Sequence, residues 1–520
     1  MRAIVAGGGL AGMVAATHLA EAGATVTVLE KQPYLGGRLS TPMNESFDHQ
    51  GKTWDFPVEH GIHGYWWQYR NLFRLLEQQG LRHRLIDSKS QELVIWLDGD
   101  HPRFMEVGDR VRDSALPEPF CFMELLRERE FQRLAFSSGP VAMWKMARDL
   151  GHAFAFDPAF DMEMYERLSV EQWIGAWPAH MREFFRAMTH SAFFIDVENT
   201  SLGAFLTSLQ FYTVTDKRAI GFEYMDGDTN ECVLEPLAAN IRAKGGRVLT
   251  GNTVEDVLVE DGRVTGVVAH DGRRSRKLKA DALVLALDPP GMKGLRSGAL
   301  GSALPELQVP KGVHSLSVRL WFEGRPGPDR STNGMFASPD RAGAAGIDNY
   351  FWLSTIQKPY VEWAESCGGS TIEAHQYGLR AKASADRDDE EILDAVTGTV
   401  EAAWPGVRGT LVHRHLKRNP PTHTEFNPGT WDLLPEVTTK IPNVALCGDW
   451  IRPRYPVLYL ERTASTGLDA ARAVAPSLGI DARDMDEVMP LHPPSPGFLR
   501  TRAILRGMRD LGLLPDLSRR

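Results

Sequence analysis

The fold is decided by residues 3–12, which read AIVAGGGLAG. The apolar run at 3–6 is predicted to be a buried strand, and the glycines after it form a turn. A helical pattern then leads to Gly23, and a second apolar run, TVTVL at 25–29, ends in Glu30. The stretch therefore predicts, in order, a strand, a glycine turn, a helix, a strand and an acidic side chain.

Each glycine of this turn has a physical task. Gly7 permits the tight turn, Gly9 lets backbone N–H groups approach a pyrophosphate, and Gly12 lets the helix pack close to the strand. The helix N-terminus favours the negative charge of the pyrophosphate. Glu30 is placed to accept hydrogen bonds from a ribose. The pattern predicts an α/β fold with a Rossmann-type dinucleotide-binding unit.

The composition is that of a large globular chain. It has 520 residues, with 58 Lys and Arg against 67 Asp and Glu, a net charge of −9, and 43% hydrophobic residues. These values exclude a disordered chain, a collagen-like repeat and a disulfide scaffold. The acidic balance argues against nucleic acid as a partner. The length predicts three domains, or two large interleaved ones.

The four cysteines, Cys121, Cys232, Cys367 and Cys447, are far apart and form no CxxC pair. That spacing predicts neither a zinc site nor a disulfide framework, and no metal motif such as HExxH is present. The sequence has no run of about 18 apolar residues, so no membrane-spanning helix is predicted. We therefore expect a soluble, cytoplasmic protein without a metal.

A second glycine motif, Gly36-Gly37-Arg38, follows soon after Glu30. Two glycines bring the backbone close to a dinucleotide, and the guanidinium of Arg38 can neutralise phosphate charge. The motif resembles that of the flavin amine-oxidase superfamily, in which a Rossmann unit and an acid are followed by a GGR stretch. The resemblance implies that the dinucleotide is FAD.

Two distant segments extend the resemblance. Residues 233–290 contain an amphipathic helix and several strand-like runs, and in the family a valine at the position of Val254 touches adenine. Residues 443–471 contain Gly448-Asp449, and in the family a strand ends in Gly-Asp, whose carboxylate binds the ribityl chain of the flavin. The helix after it points its N-terminus at the isoalloxazine, where it stabilises the charge of the reduced ring.

The resemblance implies two interleaved domains. One is a discontinuous, amine-oxidase-like FAD-binding domain, and the other is an α+β substrate-binding domain. The first is predicted at 1–100, 215–300 and 430–475, the second at 100–215 and 300–430, and a linker with a basic amphipathic tail at 476–520.

Two further stretches indicate a branch of the superfamily. Residues 56–72 read FPVEHGIHGYWWQYRNL, and residues 448–467 read GDWIRPRYPVLYLERTASTG. Both are similar to carotenoid desaturases, most of all to aromatising β-carotene desaturase/methyltransferases of the isorenieratene synthase type. The resemblance implies desaturation of a carotene, a long apolar isoprenoid, by hydride transfer to flavin N5. The electron acceptor, quinone or O₂, is not encoded in a pattern of this kind.

Several other functions share much of the same pattern. Hydroxysqualene dehydroxylases and carotene isomerase-type flavoenzymes act on similar ligands. A flavin amine oxidase would need an amine-sized polar pocket flanked by aromatic side chains. A flavoprotein without catalytic activity is the alternative from another functional class.

Glu59 and His63 are the candidate catalytic residues, because both lie in the stretch that indicates the branch. A carboxylate can stabilise a carbocation or accept a proton. The alternative is that both side chains only fix the loop and the flavin. Most of the aromatic residues at 120–212 are expected in the core, with a minority lining a tunnel. The strand pattern at 314–322 resembles the sheet that floors the substrate cavity in the family.

The tail at 498–514, FLRTRAILRGMRDLGLL, has apolar residues at helical spacing with arginines between them. A basic amphipathic helix is typical of a membrane-surface anchor. The alternative is a helix docked on its own domain with a solvated basic face. Because carotenes dissolve in bilayers, we expect residues 497–514 to attach the protein to the cytoplasmic face of a membrane.

Overall fold

The structure is a computed structural model that describes residues 1–88, 91–95, 102–136, 139–296, 298–327, 332–337, 346–378 and 387–519. Its first layer is a five-stranded parallel sheet. From edge to edge the strands are Arg247–Leu249, Thr25–Leu29, Arg2–Ala6, Ala282–Leu285 and Val444–Leu446. Most of their side chains are apolar and buried, as expected where both faces of a parallel sheet are covered. The predicted α/β, Rossmann-type architecture is confirmed.

Three helices cover one face of the parallel sheet: Leu10–Glu21, Glu235–Ala243 and Tyr459–Val474. Two close approaches of the backbone, one between the first helix and the turn before it and one between the first and third helices, depend on glycine. A Cβ at Gly12 would lie 2.0 Å from the carbonyl oxygen of Gly7, and one at Gly467 would lie 2.6 Å from that of Ala11. Either contact is far inside van der Waals distance, so both positions require glycine.

A three-stranded antiparallel sheet covers the other face, with strands Thr253–Glu260, Arg263–His270 and Ser275–Lys279. Its first two strands are joined through Asp261 and Gly262, which have φ values of 47° and 72°. Two successive residues with positive φ are the signature of a type I′ hairpin turn. The turn joins two of the strand-like runs that the sequence shows in residues 233–290.

The second layer is a seven-stranded mixed sheet. From edge to edge its strands are Leu411–Thr424, Gly312–Phe322, Ser370–Tyr377, Asn349–Trp352, Asn333–Ala337, Gln91–Ile95 and Arg103–Glu106. All neighbours are antiparallel except the pair Asn333–Ala337 and Gln91–Ile95. Residues 91–95, which precede the first predicted boundary at 100, thus pair with strands on the far side of that boundary. A strand this short carries no pattern that identifies the sheet it joins.

The strand Gly312–Phe322 divides its side chains between two environments. Leu316, Val318, Leu320 and Phe322 pack with the helix Asp389–Ala403 in one hydrophobic cluster. The alternate positions Ser315, Ser317 and Arg319 point the other way, toward the parallel-sheet layer. The strand contributes Val313, Ser315 and Leu316 to the wall of a cavity between the two layers.

A helical region closes the side between the two layers. It comprises Gly139–Ala155, Val170–Ile174, Ala179–Phe193 and Leu202–Leu209, the last continued by a wider helical turn at Gln210–Val214. The aromatic residues of this region are largely buried against one another, with Trp173 and Phe185 at the centre. Trp144 and Phe160 are exceptions and are exposed, as is Phe120 just upstream of this region.

The remaining elements are short. Two small antiparallel sheets pair Met43–His49 with Lys52–Val58, and place Phe222–Met225 between Tyr65–Trp66 and Leu85–Asp87. The other α-helices are Arg70–Gln78, Gly108–Arg112, Arg129–Phe136, Met162–Tyr165, Pro289–Leu295, Ala299–Ala303, Lys358–Cys367, Thr430–Leu433 and Pro496–Asp510. Within the described ranges, no helix combines the length and the apolar character needed to cross a membrane.

Candidate active site

A cavity of about 1270 Å³ lies between the parallel sheet and the mixed sheet. Pockets for one small molecule hold roughly 300–1,000 Å³, so this cavity has room for a dinucleotide and part of a second ligand. All the predicted cofactor residues except Gly12 line it: Gly7, Gly9, Glu30, Gly36, Gly37, Arg38, Val254, Gly448 and Asp449. Of the two catalytic candidates, His63 lines the cavity and Glu59 is not among the described residues that do.

The two glycine motifs are in direct contact. The Gly36 N–H donates to the Gly8 carbonyl at 2.8 Å, and Gly9 and Gly36 form an isolated bridge. Gly9 caps the helix Leu10–Glu21, and a Cβ at Gly9 would meet only the Gly36 carbonyl oxygen, at 3.9 Å. The unpaired N–H groups of this helix end therefore face open space that suits an anionic group.

The Glu30 carboxylate is fixed by the backbone. One oxygen accepts from the Gly8 N–H at 2.7 Å, and the other accepts from the Gln32 N–H at 2.8 Å. Each carboxylate oxygen still has a lone pair for a hydroxyl donor. The side chain is thus held at the wall where a ribose is expected.

Arg38 and Asp449 form an ion pair across the cavity wall, with Nη2 and Oδ1 2.6 Å apart. Arg38 Nη1 also lies 3.0 Å from His423 Nδ1, and the Asp449 backbone carbonyl accepts from Arg462 Nη1 at 3.0 Å. Burial opposes ionisation of Asp449, but the Arg38 guanidinium outweighs burial and holds the Asp449 pKa below its ordinary value. The pair joins the second glycine motif to the Gly-Asp motif, a link that neither motif reveals alone.

The helix Tyr459–Val474 begins at the cavity, which Tyr459, Leu460 and Thr463 line. Tyr459 has a φ of 48°, a conformation that costs a non-glycine residue about 1 kcal/mol or more. Its hydroxyl is buried and has no hydrogen-bond partner among the described residues. Together with the open helix ends and the charge pair, these features fit a dinucleotide whose ring lies near Asp449.

Glu59 lies behind the cavity wall. Its carboxylate accepts hydrogen bonds from the Thr229 N–H at 2.7 Å and from Gln357 Nε2 at 3.2 Å. Burial outweighs these bonds and raises the Glu59 pKa to about 7. Because its oxygens are held by protein groups and not by the cavity, the structure favours the alternative role for Glu59, which is to fix the loop.

His63 lines the cavity, and its Nδ1 is buried without a hydrogen-bond partner among the described residues. Burial lowers the His63 pKa to about 3, so the imidazole is neutral near pH 7. The nearby His60 lines the same wall, where its Nδ1 is 2.8 Å from Asn419 Oδ1.

The polar floor of the cavity at His375 and Tyr377, and the buried ion pair beneath it, were not predicted. Arg319 forms a fully buried ion pair with Glu373, and Glu373 Oε1 lies 2.7 Å from His375 Nε2. The same Glu373 oxygen accepts from the Ile62 N–H at 2.7 Å, which ties the His60–His63 loop to the sheet. His375 Nδ1 in turn lies 2.5 Å from the Tyr377 hydroxyl. Both His375 and Tyr377 line the cavity.

A signal for this floor is present in the sequence. Polar residues alternate in STIEAHQY at 370–377 and in LVHRHLKRN at 411–419, which places them on one face of each strand. His413 and His415 share a face as predicted, and both contact Glu45, at 2.7 and 2.8 Å. No His, Cys, Asp or Glu cluster suited to a metal occurs among the described residues.

Apolar and aromatic side chains line another part of the same cavity. They include Met188, Phe194, Phe205, Leu209 and Tyr212. Phe194 stacks on Tyr377 with ring centroids 3.9 Å apart and lies 4.4 Å from His423. A minority of the aromatic residues at 120–212 thus line the cavity, while most form core.

Comparisons with known proteins agree with this geometry. The sequence pattern of the family described as "Flavin containing amine oxidoreductase" matches residues 10–475. The chain is 22% identical to a carotenoid phi-ring synthase of Chlorobaculum tepidum, over 91% of this chain and 88% of that protein. It is 24% identical to a 15-cis-phytoene desaturase of Synechococcus elongatus, over 91% of this chain and 96% of that protein.

Solved structures share the fold. Cyclohexylamine oxidase from Brevibacterium oxydans superposes with a TM-score of 0.62 and 17% identity, over 92% of this chain and 99% of that one. Putrescine oxidase bound to putrescine gives a TM-score of 0.63 and 14% identity, over 92% of this chain and 99% of that one. The chain belongs to the flavin-containing amine oxidoreductase family.

Proposed function

We propose that this FAD-dependent oxidoreductase desaturates a carotene. The observation that carries the proposal is that one cavity joins the dinucleotide cradle to a wall of Phe194, Phe205, Leu209 and Met188. Aromatic and aliphatic side chains suit a long hydrocarbon, because they supply apolar area at low entropic cost. The names of the desaturase and phi-ring synthase relatives support the same substrate class.

Bound FAD supplies the hydride acceptor, and the protein supplies position and charge. The Arg38–Asp449 pair and the two helix ends hold the cofactor, and the aromatic wall excludes water. Removal of a hydride from an alkene leaves an allylic cation, whose neighbouring C–H bond is strongly acidic. A weak base can take that proton, so the neutral His63 imidazole, which lines the cavity wall, is our proposed acceptor.

Desaturation coupled to methyl migration, as in an aromatising enzyme of the isorenieratene synthase type, is the finer form of the proposal. Because carotenes dissolve in bilayers, we place the protein peripherally at the cytoplasmic face of a membrane, with quinone or O₂ as the electron acceptor. Dehydroxylation of hydroxysqualene or isomerisation of a carotene would use the same cavity.

Amine oxidation is the second candidate, favoured by the polar floor around His375. An amine needs polar contacts that a hydrocarbon does not, and the superposed solved structures include amine oxidases. Lys417 opposes this candidate, because it lines the cavity and a cation there repels a substrate ammonium group. Burial lowers the Lys417 pKa only to about 8, so most of its charge remains at pH 7.

The two candidate functions predict that different substrates, a polyene or an amine, reduce the bound FAD. The FAD-loaded protein, mixed without oxygen with β-carotene, lycopene, phytoene or hydroxysqualene in detergent micelles, should lose its yellow flavin absorbance with a polyene. The product should have lost two hydrogens per FAD reduced, as measured by mass spectrometry. Reduction by simple amines with none by the isoprenoids would contradict the proposal and establish the amine oxidase instead.

A further inference from the structure

The exposed apolar side chains of this protein are concentrated on one part of its surface. Among the described residues, all but three of the large apolar side chains that are exposed lie within 116–164 and 499–513; the exceptions are Met1, Met43 and Leu433. Those within the two segments are Leu116, Phe120, Met123, Val141, Trp144, Phe160, Met164, Leu499, Ile504, Leu511 and Leu513. We call this set the docking surface.

The two segments are packed together. The tail helix (Pro496–Asp510) lies on the supporting helix (Gly139–Ala155), where a Cβ at Gly151 would lie 3.0 Å from Leu514 Cδ2. At the start of the tail helix, the buried Phe498 meets Phe154 with ring centroids 6.4 Å apart. The two helices therefore pack against each other, and Gly497 at the start of the tail helix also contacts Pro117 and Glu118, next to Leu116 and Phe120 of the docking surface.

The tail helix does not present its whole basic face to solvent, because part of that face is turned toward the protein. Arg502 lies 3.2 Å from Asp157, and Arg506 and Arg509 lie 3.2 and 3.1 Å from Asp161. These three arginines therefore fasten the helix to the protein. The outward side carries Ile504 and Leu511, exposed by 66% and 78%, together with the exposed Arg500.

The exposed charged side chains around the docking surface are mainly positive. Arg127, Arg129, Arg133, Lys145 and Arg500 are exposed. The acids of the same segments are largely engaged: Asp157 and Asp161 by the tail helix, Glu124 by Arg127 and Glu128 by Arg110. Glu163 and Asp510 are exposed. Exposed Trp and aliphatic side chains between cations are typical of proteins that lie in the interface of an anionic bilayer.

A single helix separates the supporting helix from the cavity. Gln210 donates through Nε2 to the carbonyl oxygens of Ala153 and Phe156, at 3.2 and 2.6 Å, where the supporting helix ends. Residues Ser208, Leu209, Tyr212 and Thr213 of the same helical stretch line the cavity. The helical stretch that bonds to the end of the supporting helix therefore also forms part of the cavity wall.

We propose that the docking surface enters the interfacial layer of an anionic bilayer, with the outward side of the tail helix inserted and Arg502, Arg506 and Arg509 turned inward. The inference shares one premise with the proposed function, namely a substrate dissolved in lipid. A second copy of the chain suits the surface less well. In a two-fold dimer the patch of one chain meets the same patch of the other. Such a contact would bring together the positive charges of Arg127, Arg129, Lys145 and Arg500, which repel one another.

The test is flotation of the full-length, FAD-loaded protein with vesicles of phosphatidylcholine, with and without phosphatidylglycerol. The variant Ile504→Glu/Leu511→Glu should lose about tenfold or more of its vesicle binding, since it places two charges in the inserted side. Lys277→Glu is the control. It changes the net charge by the same amount, on the exposed antiparallel strand Ser275–Lys279, and should bind like the wild type.

Arg500→Glu separates insertion from attraction: it should weaken binding to anionic vesicles and leave the weaker binding to neutral vesicles unchanged. Wild-type binding by the double variant would overturn the inference, as would a wild-type dimer that the double variant converts to monomer without lipid. FAD content and melting temperature establish that each variant is folded. Carotene oxidation in micelles does not require docking on a bilayer. A protein that oxidises carotene but does not bind vesicles would therefore refute this inference and leave the proposed function intact.

Discussion

Glu59 shows at the scale of one residue how burial changes what a carboxyl group does. Its pKa is raised to about 7, so near neutral pH a substantial fraction of the side chain is uncharged. Its two oxygens accept from Thr229 and Gln357, and these bonds join the loop at 60–64 to two other parts of the chain. An uncharged hydrogen-bonding group satisfies the same contacts.

Glu59→Gln should therefore keep activity within about threefold of the wild type and cost about 1 kcal/mol of unfolding free energy. Loss of a general base would instead slow turnover by about 10²–10⁴. Turnover and urea unfolding measure the two effects. Glu59→Leu is the matched comparison, because it removes both bonds and should reduce stability and FAD content. A hundredfold loss of turnover in Glu59→Gln, with FAD fully bound, would restore Glu59 as a catalytic residue.

Among the elements, the helix Ala179–Phe193 is fastened at its end by a buried charge. His190 Nε2 lies 2.6 Å from Asp196, and its Nδ1 lies 3.2 Å from Asp348 in the mixed-sheet layer. Arg186 is 3.9 Å from the same Asp196 oxygen. Burial disfavours the imidazolium, but the bonds to both carboxylates outweigh burial and raise the His190 pKa to about 9.

Stability should consequently fall in alkaline solution. A pKa raised above the unfolded value of 6.5 contributes fully below pH 6.5, and the contribution is lost as the pH rises through 9. We expect the difference in unfolding free energy between wild type and His190→Gln to shrink by on the order of 2 kcal/mol between pH 6 and pH 9.5. Urea unfolding at several pH values measures it, and a difference independent of pH would contradict the assignment.

On the scale of the whole molecule, the wall of the cavity is shared by the two layers. Gly9 and Glu30 belong to the parallel-sheet layer, while His375 and Lys417 belong to the mixed sheet, and all four line the same space. A ligand that contacts both layers stabilises the folded state by mass action. The Arg38–Asp449 pair is central to this link, because it fixes the wall between the two motifs.

Removal of FAD should thus lower the melting temperature, by an amount that corresponds to about 4 kcal/mol when FAD exceeds its dissociation constant a thousandfold. Asp449→Asn should reduce this difference by weakening FAD binding, and it should also lower the melting temperature of the apoprotein, because it leaves Arg38 without its charge partner. Calorimetry of both proteins with and without FAD provides the measurement. Equal melting temperatures with and without FAD would show that the cofactor does not link the layers.

Local patterns predicted the cofactor half of the molecule well, and long-range partners explain what was missed. The turn at Gly7–Gly12 and the helix at 235–243 follow from residues that are neighbours in sequence. The Arg319–Glu373 pair joins positions on two strands, and only the register of the mixed sheet brings them together. The direction of the tail arginines depends on Asp157 and Asp161, which lie far upstream.

The parallel sheet takes its strands from both ends of the chain, from Arg2–Ala6 to Val444–Leu446. During synthesis the last strand leaves the ribosome only after most of the protein has been made. Until then one side of the strand Ala282–Leu285 is an unpaired edge, which can pair with other chains. Contacts between such distant residues also slow folding. We therefore expect the nascent chain to need the protection of chaperones and high-level expression to favour aggregation.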